Sequence, residues 1–229
     1  GRAVREYHCN GIFMDAMIQP RNPNWMRRGW GVGNEGLVLE AQIDQMRRAK
    51  ESMGDDSILL YNGLRSSDRT AEMRGDEYLP YADGATVEHF GAFHCRSPEA
   101  IVRDMKAIEQ AGQAGKIVVV KGWPDPDFNW TNTELMRRPP KQLIEEAREK
   151  IDFSLACFLI AAQRDSYFCY SWGYREQHGS LVDYPELQRP LGEPLGDAVR
   201  DGWTFTRSFE HLDVSVDINE RTVRLDWEE

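Results

Sequence analysis

Five short apolar runs alternate along the chain with longer segments in which apolar residues recur every three to four positions. The runs occupy residues 11–14, 58–61, 85–87, 117–120 and 167–170. Short continuous apolar runs are typical of strands buried on both faces, and the three-to-four spacing is typical of amphipathic helices. The alternation therefore predicts βαβ units and a parallel sheet in an α/β protein.

The helical segments have recognisable ends. Gly54 follows the first amphipathic pattern as a C-cap, and Ser97-Pro98 supplies an N-cap and a first-turn proline for the second. Pro139-Pro140 precedes a pattern that continues to Ala162, which predicts one long helix. The stretch between residues 62 and 85 is polar and poorly periodic.

The alternation stops after the fifth apolar run. A segment rich in proline and glycine follows, and the tail then alternates with a period of two over residues 205–209, 214–216 and 223–225. Asn219-Glu220-Arg221 has the character of a hairpin turn. We therefore expect a body of βα units over residues 1–184 and an integral Pro/Gly-rich segment with a small antiparallel β appendage over 185–229.

Polar residues stand where the apolar runs end. They are Asp15, Asn62, Glu88, Lys121 and Ser171. In parallel α/β sheets the active site lies at the carboxyl ends of the strands, so we expect these side chains to meet. A lone Asp after a strand is as often a helix cap, but two carboxylates and an amide at equivalent places favour a site. Lys121 is a candidate catalytic residue, a substrate anchor, or the partner of one carboxylate.

Large aromatic residues are concentrated in the loops that follow the strands. The predicted loops hold five of the seven tryptophans, Trp25, Trp30, Trp123, Trp130 and Trp172, with Tyr174 close by. Rigid amphipathic rings stack well on sugar rings, so these residues are candidate substrate-binding groups. The alternative is that some of the rings pack the long loops together.

The charge balance narrows the possible partners. The 229 residues include 28 basic and 38 acidic side chains, a net charge of −10, which argues against general binding of nucleic acids. No apolar run is long enough to span a membrane. The predicted loops nevertheless concentrate arginine, which suggests an anionic group on the substrate; the arginines are Arg21, Arg27, Arg28, Arg65, Arg69, Arg96 and Arg175.

The sequence contains no motif that would indicate a metal or another cofactor. The spacing of His89, His94 and Cys95 is not one that zinc sites use. Dinucleotide-binding, phosphate-binding and serine-nucleophile motifs are also lacking in their required contexts. We therefore expect neither a metal nor an organic cofactor.

Several short segments resemble a known group of enzymes. The segment 11–15, Gly-Ile-Phe-Met-Asp, is similar to the DGIFLD strand of hypothetical glycoside hydrolases and of the related polygalactosaminidase-like enzymes, with Asn10 where Asp is usual. Segments 61–63 and 84–88 resemble the next two strand ends, and 207–216 resembles the C-terminal cap. The resemblance implies a (β/α)8 barrel and an active-site trio of Asp15, Asn62 and Glu88. By analogy with α-galactosidase-like barrels, Asp15 would be the nucleophile and Glu88 the acid/base.

The same resemblance makes the first apolar run the fourth strand of a barrel. The chain would then carry strands four to eight, and the missing strands would come from an absent N-terminal segment or from another chain. Five parallel strands alone leave two open edges and an uncovered apolar face. An open flavodoxin-like sheet is the structural alternative.

Three functions follow from these observations. The first is hydrolysis of a poly- or oligosaccharide, neutral or anionic, by Asp15 and Glu88. The second is a Schiff-base aldolase or lyase that uses Lys121. The third is a non-catalytic carbohydrate-binding barrel that keeps the aromatic residues.

Overall fold

The computed structural model describes residues 6–228, apart from the side chains of residues 70 and 71. Its strands are β1 (Gly11–Met14), β2 (Ile58–Asn62), β3 (Arg65–Ser67), β4 (Thr70–Arg74), β5 (Gly84–Val87), β6 (Ile117–Gly122), β7 (Ser166–Tyr170), β8 (Val199–Asp201), β9 (Thr204–Phe209), β10 (Leu212–Asp217) and β11 (Thr222–Trp227). The α-helices are α1 (Pro23–Gly29), α2 (Glu35–Met53), α3 (Pro98–Gln113), α4 (Pro140–Glu149) and α5 (Ile151–Ala161). Single 3₁₀ segments connect several of them, over Gln19–Arg21, Asp76–Tyr81, Leu135–Arg137, Glu176–His178 and Pro185–Leu187.

The five predicted strands form one parallel sheet in the order β1-β2-β5-β6-β7. The α/β prediction is confirmed. The order follows the chain without the reversal of a flavodoxin-like sheet, although the sheet is open, as that alternative expected. Within residues 6–228 the sheet is open, with β1 and β7 at its edges, and it does not close into a barrel.

The two faces of this sheet are covered unequally. Alternate residues such as Leu59, Tyr61 and Val118 are fully buried beneath the helices. On the other face, Phe13, Ile58 and Tyr167 are 54%, 42% and 57% exposed. The described part of the chain therefore covers one side of its sheet and leaves apolar side chains accessible on the other.

The predicted helix ends are confirmed in two places and corrected in a third. Gly54 follows α2 with a φ of 88°, and the Ser97 side chain accepts the Ala100 N–H at the start of α3. The long helix predicted from Pro139-Pro140 is instead two helices, α4 and α5, interrupted at Lys150. The two helices have different surroundings. α4 is amphipathic, whereas α5 is buried on nearly every side between the two sheets, and the break at Lys150 redirects the chain from one environment to the other.

The C-terminal strands form an antiparallel sheet in the order β11-β10-β9-β8. The antiparallel prediction is confirmed, and β8 is an additional strand that the sequence pattern did not indicate. This sheet packs on α5, where Arg207 from β9 donates to the carbonyls of Leu159, Ile160 and Ala162. Those carbonyls end α5 and lack partners within the helix. The division at residues 184 and 185 stays a prediction.

The polar, poorly periodic segment between β2 and β5 contains regular structure. Here the chain forms the β3–β4 hairpin and the 3₁₀ segment at Asp76–Tyr81. The hairpin is anchored from both sides, because Tyr61 Oη donates to the Gly75 carbonyl at 2.5 Å and Ser66 N donates to Asp104 Oδ1 at 2.6 Å. These tertiary contacts hold the hairpin in place, although its sequence lacks the apolar alternation that usually identifies a strand.

Candidate active site

An amide and two carboxylates from three neighbouring strands meet at the carboxyl edge of the parallel sheet. Asp15 directly follows β1, Asn62 ends β2 and Glu88 directly follows β5. Asn62 Nδ2 donates one hydrogen bond to Asp15 Oδ1 at 2.8 Å and another to Glu88 Oε2 at 3.0 Å. The two acceptor oxygens are therefore no more than about 5.8 Å apart, the sum of the two bonds.

The backbone after β1 holds the Asp15 carboxylate in place. Ala16 N donates to Asp15 Oδ1 at 2.7 Å, so this oxygen accepts from two amide groups. Ala16 has a φ of +56°, a left-handed conformation that is unfavourable for a residue with a Cβ. Strain of this kind is found mainly where a functional side chain must be aimed.

The Glu88 carboxylate has a different set of neighbours. His89 Nε2 lies 3.4 Å from Glu88 Oε2, and Tyr174 lines the same cleft as Glu88. Burial, reinforced by the charge of Glu88, raises the pKa of Tyr174, so this hydroxyl stays protonated. Glu88 thus has an imidazole and a phenol beside it, in addition to the Asn62 amide that donates to it.

Arg65 determines which nitrogen of His89 carries the proton. The Arg65 guanidinium Nη1 lies 2.6 Å from His89 Nδ1, and since a guanidinium can only donate, Nδ1 is the acceptor. Burial, together with the Arg65 charge, lowers the pKa of His89 to about 3. The ring is therefore neutral near pH 7, with its proton on Nε2 and facing Glu88.

These residues line a cleft of about 480 Å³. Its walls include Asp15, Asn62, Arg65, Glu88, His89 and Tyr174, with Gln19 and Asn22 from the turn that follows β1. Sequence reasoning missed Gln19, Asn22 and His89 as cleft residues. The position of His89 beside Glu88 was the only signal in the sequence that pointed to one of them.

An aromatic cluster of Phe93, Trp123, Trp130 and Tyr174 adjoins the cleft. The ring centroids of Trp130 and Tyr174 are 4.7 Å apart, and Trp123 and Trp130 are stacked at 5.6 Å. Tyr174 is exposed and Trp130 is half-buried, whereas Trp123 is 3% exposed. Trp123 Nε1 also donates to the Glu88 carbonyl at 2.8 Å, so this ring supports the backbone of the site.

The remaining tryptophans divide between the surface and the core. Trp25 and Trp30 form a pair in and after α1, with centroids 6.0 Å apart, and Trp30 is exposed. Trp172 is 1% exposed and packs edge-on against Phe128. Trp172 and Trp123 present no open ring face, which corrects the expectation that they bind substrate directly. The alternative expectation, that some rings pack the loops, describes these two.

Lys121 is buried beneath the aromatic cluster. Its Nζ donates to the Ser171 carbonyl at 2.9 Å and lies 3.4 Å from the centroid of the Trp123 ring. Burial lowers the pKa of Lys121 to about 7, although Cys169 and Glu88 act in the opposite direction. No carboxylate of the described residues is paired with Lys121 within 4.0 Å, and its side chain does not line the cleft.

The described residues form neither a metal-binding cluster nor a membrane-spanning helix. Among residues 6–228 there is no group of three His, Cys, Asp or Glu side chains that would hold a metal ion. None of the helices in this part of the chain has the length and apolar character needed to cross a bilayer.

The fold and the cleft define an α/β protein with two amide-bridged carboxylates at the carboxyl edge of a parallel sheet. Paired carboxylates in a cleft are the machinery that glycoside hydrolysis uses. The family model described as hypothetical glycosyl hydrolase family 15 matches residues 2–213, and the chain belongs to this family. The match spans the whole parallel sheet, all the cleft residues and the first strands of the C-terminal sheet. A comparison with curated proteins found no match to the chain.

Proposed function

We propose that the protein is a glycoside hydrolase that cleaves the O-glycosidic bonds of an oligo- or polysaccharide through Asp15 and Glu88. The observation that carries the proposal is the Asn62 amide, which donates to both carboxylates in an open cleft. A helix cap or a structural ion pair needs no such arrangement, because it satisfies one carboxylate with its own partner. The family match supports the same class of reaction.

The separation of the carboxylates favours retention of the anomeric configuration. Retaining enzymes hold the two carboxyl groups about 5–5.5 Å apart, whereas inverting enzymes need about 6.5–9.5 Å to admit a water molecule. The oxygens bridged by Asn62 are at most about 5.8 Å apart, which is below the separation that inverting enzymes need. The proposed reaction therefore has two steps and a covalent glycosyl-enzyme intermediate.

The donors around each carboxylate suggest its role. Asp15 Oδ1 accepts from two amide N–H groups, which hold the carboxylate in one orientation, as a nucleophile requires. Glu88 accepts from Asn62 but from no backbone N–H of the described residues, and it has the neutral His89 ring and the protonated Tyr174 hydroxyl beside it, which leaves it the acid/base role of the pair. Glu88 would protonate the leaving oxygen, and Asp15 would attack the anomeric carbon. Glu88 would then deprotonate the water that releases the sugar.

The exposed rings are the proposed sugar-binding surfaces. Trp130 and Tyr174 of the aromatic cluster stand beside the cleft, and Trp30 with the half-buried Trp25 lies in and after α1, the helix that Asn22 caps. Each pair offers a rigid apolar face with a polar edge, which suits the C–H face of a pyranose. Asn62 would additionally bind a sugar hydroxyl through its carbonyl oxygen.

We further propose that the open sheet is a five-strand section of a (β/α)8 barrel of the α-galactosidase-like superfamily. The sequential parallel order and the uncovered apolar face with Phe13 and Tyr167 support this proposal. Three strands from a preceding segment or from another chain would cover that face. Light scattering of residues 1–229 tests whether a second copy of this chain supplies the three strands. A monomer in solution would exclude a barrel that is completed by two copies.

The catalytic pair is tested with Asp15→Asn and Glu88→Gln on a panel of 4-nitrophenyl glycosides and polysaccharides. Each variant should lose turnover by at least about a thousandfold while unfolding at the wild-type temperature. Azide should restore Glu88→Ala with a glycosyl azide of retained configuration and Asp15→Gly with one of inverted configuration. Full activity of both carboxamide variants would refute the proposal, and glycan binding without any product would identify a binding protein instead.

One observation favours the Schiff-base alternative, namely the pKa of Lys121, which burial lowers to about 7. A Schiff-base lysine is commonly activated in this way. Lys121 Nζ is nevertheless covered by the Trp123 ring and hydrogen-bonded to Ser171, outside the cleft lining. Borohydride treatment in the presence of carbonyl compounds should therefore leave Lys121 unmodified in a peptide mass map. A reduced adduct on Lys121 would favour the lyase.

A further inference from the structure

Two arginines lie opposite each other in the β3–β4 hairpin, and one of them, Arg65, lines the cleft. Arg65 and Arg74 are cross-strand partners in the β3–β4 hairpin, so their side chains project from the same face. Both are partly buried, and burial together with the Arg65 charge lowers the pKa of Arg74. Like charges at opposed positions of a hairpin are destabilising, and partial burial increases the cost.

Neither of these guanidinium groups has an acidic partner in the described part of the chain. Arg65 uses Nη1 on His89, while its Nε is buried without an acceptor. No carboxylate lies within 4.0 Å of Arg65 or Arg74 among residues 6–228. Two other loop arginines are neutralised, because Arg21 pairs with Glu77 at 3.2 Å and Arg96 pairs with Asp127 at 3.0 Å.

The hairpin cannot easily relieve the repulsion by moving. Its strands are anchored through the hydrogen bonds of Tyr61 to Gly75 and of Ser66 to Asp104. The Ser66 hydroxyl adds a bond to the Ala100 carbonyl at 2.8 Å. A Cβ on Gly75 would lie 2.2 Å from the Gly63 carbonyl oxygen, which shows how closely the hairpin approaches the end of β2. The two cations are therefore held together by the fold.

We propose that Arg65 and Arg74 form an anion subsite that selects an acidic glycan, one with a carboxylate or a sulfate ester on the sugar bound beside Glu88. Two planar guanidinium groups offer the forked donors that such oxyanions accept. Arg65 lines the same cleft as the carboxylate pair, so the anion would be recognised next to the scissile bond. This inference rests on the proposed hydrolase function and specifies its substrate class.

Sulfate is the first probe, since it needs no knowledge of the sugar. Millimolar sodium sulfate should raise the melting temperature of the wild-type chain above that in sodium chloride of equal ionic strength. The rise should disappear in Arg74→Gln and persist in Arg164→Gln. Arg164 is a matched control because it is exposed and precedes β7, at the opposite edge of the sheet. Without sulfate, Arg74→Gln should melt no lower than the wild type, since it removes a repulsion.

Binding of sugars is measured with the Glu88→Gln variant, which should not consume its ligand. Oligogalacturonate and its methyl ester share one sugar backbone, and esterification removes the charge and adds a methyl group, while a sulfated galactan oligosaccharide tests the sulfate source. At least one acidic oligosaccharide should bind at least about tenfold more tightly than its uncharged counterpart. Adding Arg74→Gln to Glu88→Gln should abolish this preference, and adding Arg164→Gln should preserve it.

The outcomes separate this inference from the hydrolase proposal. Equal binding of charged and uncharged oligosaccharides, with no sulfate-dependent stabilisation, would overturn the anion subsite even if neutral glycosides are hydrolysed. Binding selective for acidic sugars, lost in Arg74→Gln, would support the subsite even if the wild type releases no product. In the latter case only the hydrolase proposal would fail.

Discussion

Replacing Asn62 by alanine should disable the site while leaving the fold intact. The substitution removes two hydrogen bonds to charged groups, at 2.8 and 3.0 Å, through which one side chain links both carboxylates. Bonds to charged acceptors are worth about 1.5–3 kcal/mol each, and the lower value applies because Asp15 is exposed. Their loss amounts to about 3 kcal/mol.

A second effect adds to the first. Without the intervening N–H groups, two negative charges within about 5.8 Å repel each other by about 1–3 kcal/mol, depending on how much solvent screens them. The carboxylates should then separate and lose the spacing that a retaining mechanism requires. The expected result is a fall in kcat/KM of about a hundredfold to a thousandfold.

The assay compares kcat/KM and melting temperature for wild type, Asn62→Ala and the control Asn219→Ala. Asn219 is exposed in the turn between β10 and β11 and donates only to Glu220, so its replacement should change neither quantity. Asn62→Asp should be at least as impaired as Asn62→Ala, because it keeps the size but adds a third negative charge. An Asn62→Ala enzyme within about threefold of wild type would refute the reasoning.

Three further predictions concern buried charges. Arg207→Gln should lower the free energy of unfolding, measured with urea, by about 3–5 kcal/mol, because it leaves carbonyls at the end of α5 without their donor. Arg224 is exposed, so the control Arg224→Gln should change this free energy little. Burial raises the pKa of Asp104 to about 7, so wild-type stability should decline as the pH rises from about 4 to 7, and Asp104→Asn should remove that slope. The pKa of Lys121 is lowered to about 7, so wild-type stability should increase from pH 7 towards about 10, and Lys121→Met should abolish the increase. A pH dependence of stability that persists in Asp104→Asn or in Lys121→Met would mean that other groups cause it.

Much of the site was predictable because of a general property of parallel sheets. Residues that follow consecutive strands share one edge, so Asp15, Asn62 and Glu88 are brought together by strand order alone. The sequence could not show that Asn62 donates to both carboxylates, since that depends on rotamers. Nor could it show that Arg74 lies opposite Arg65, because the hairpin that pairs them lacks an apolar alternation and is held by contacts with Tyr61 and Asp104.

The aromatic residues show the same division. Their concentration in the loops is visible in the sequence, but whether a ring is open or buried depends on what packs over it. Trp172 is enclosed by the loop that contains Phe128, and Trp123 is covered by Trp130 and Tyr174. The interruption of the helix at Lys150 also depends on tertiary packing. α5 is buried on nearly every side because the C-terminal sheet packs against it.

The sequence by itself therefore determined the class of fold and the edge of the sheet where chemistry would occur. Both follow from local periodicity and from the geometry that all parallel strands share. Only the tertiary structure decided which polar groups bond to one another, which rings remain accessible and which cations lack partners. Those outcomes depend on contacts between residues far apart in the chain, such as Arg65 with His89 and Ser66 with Asp104, which no local pattern encodes.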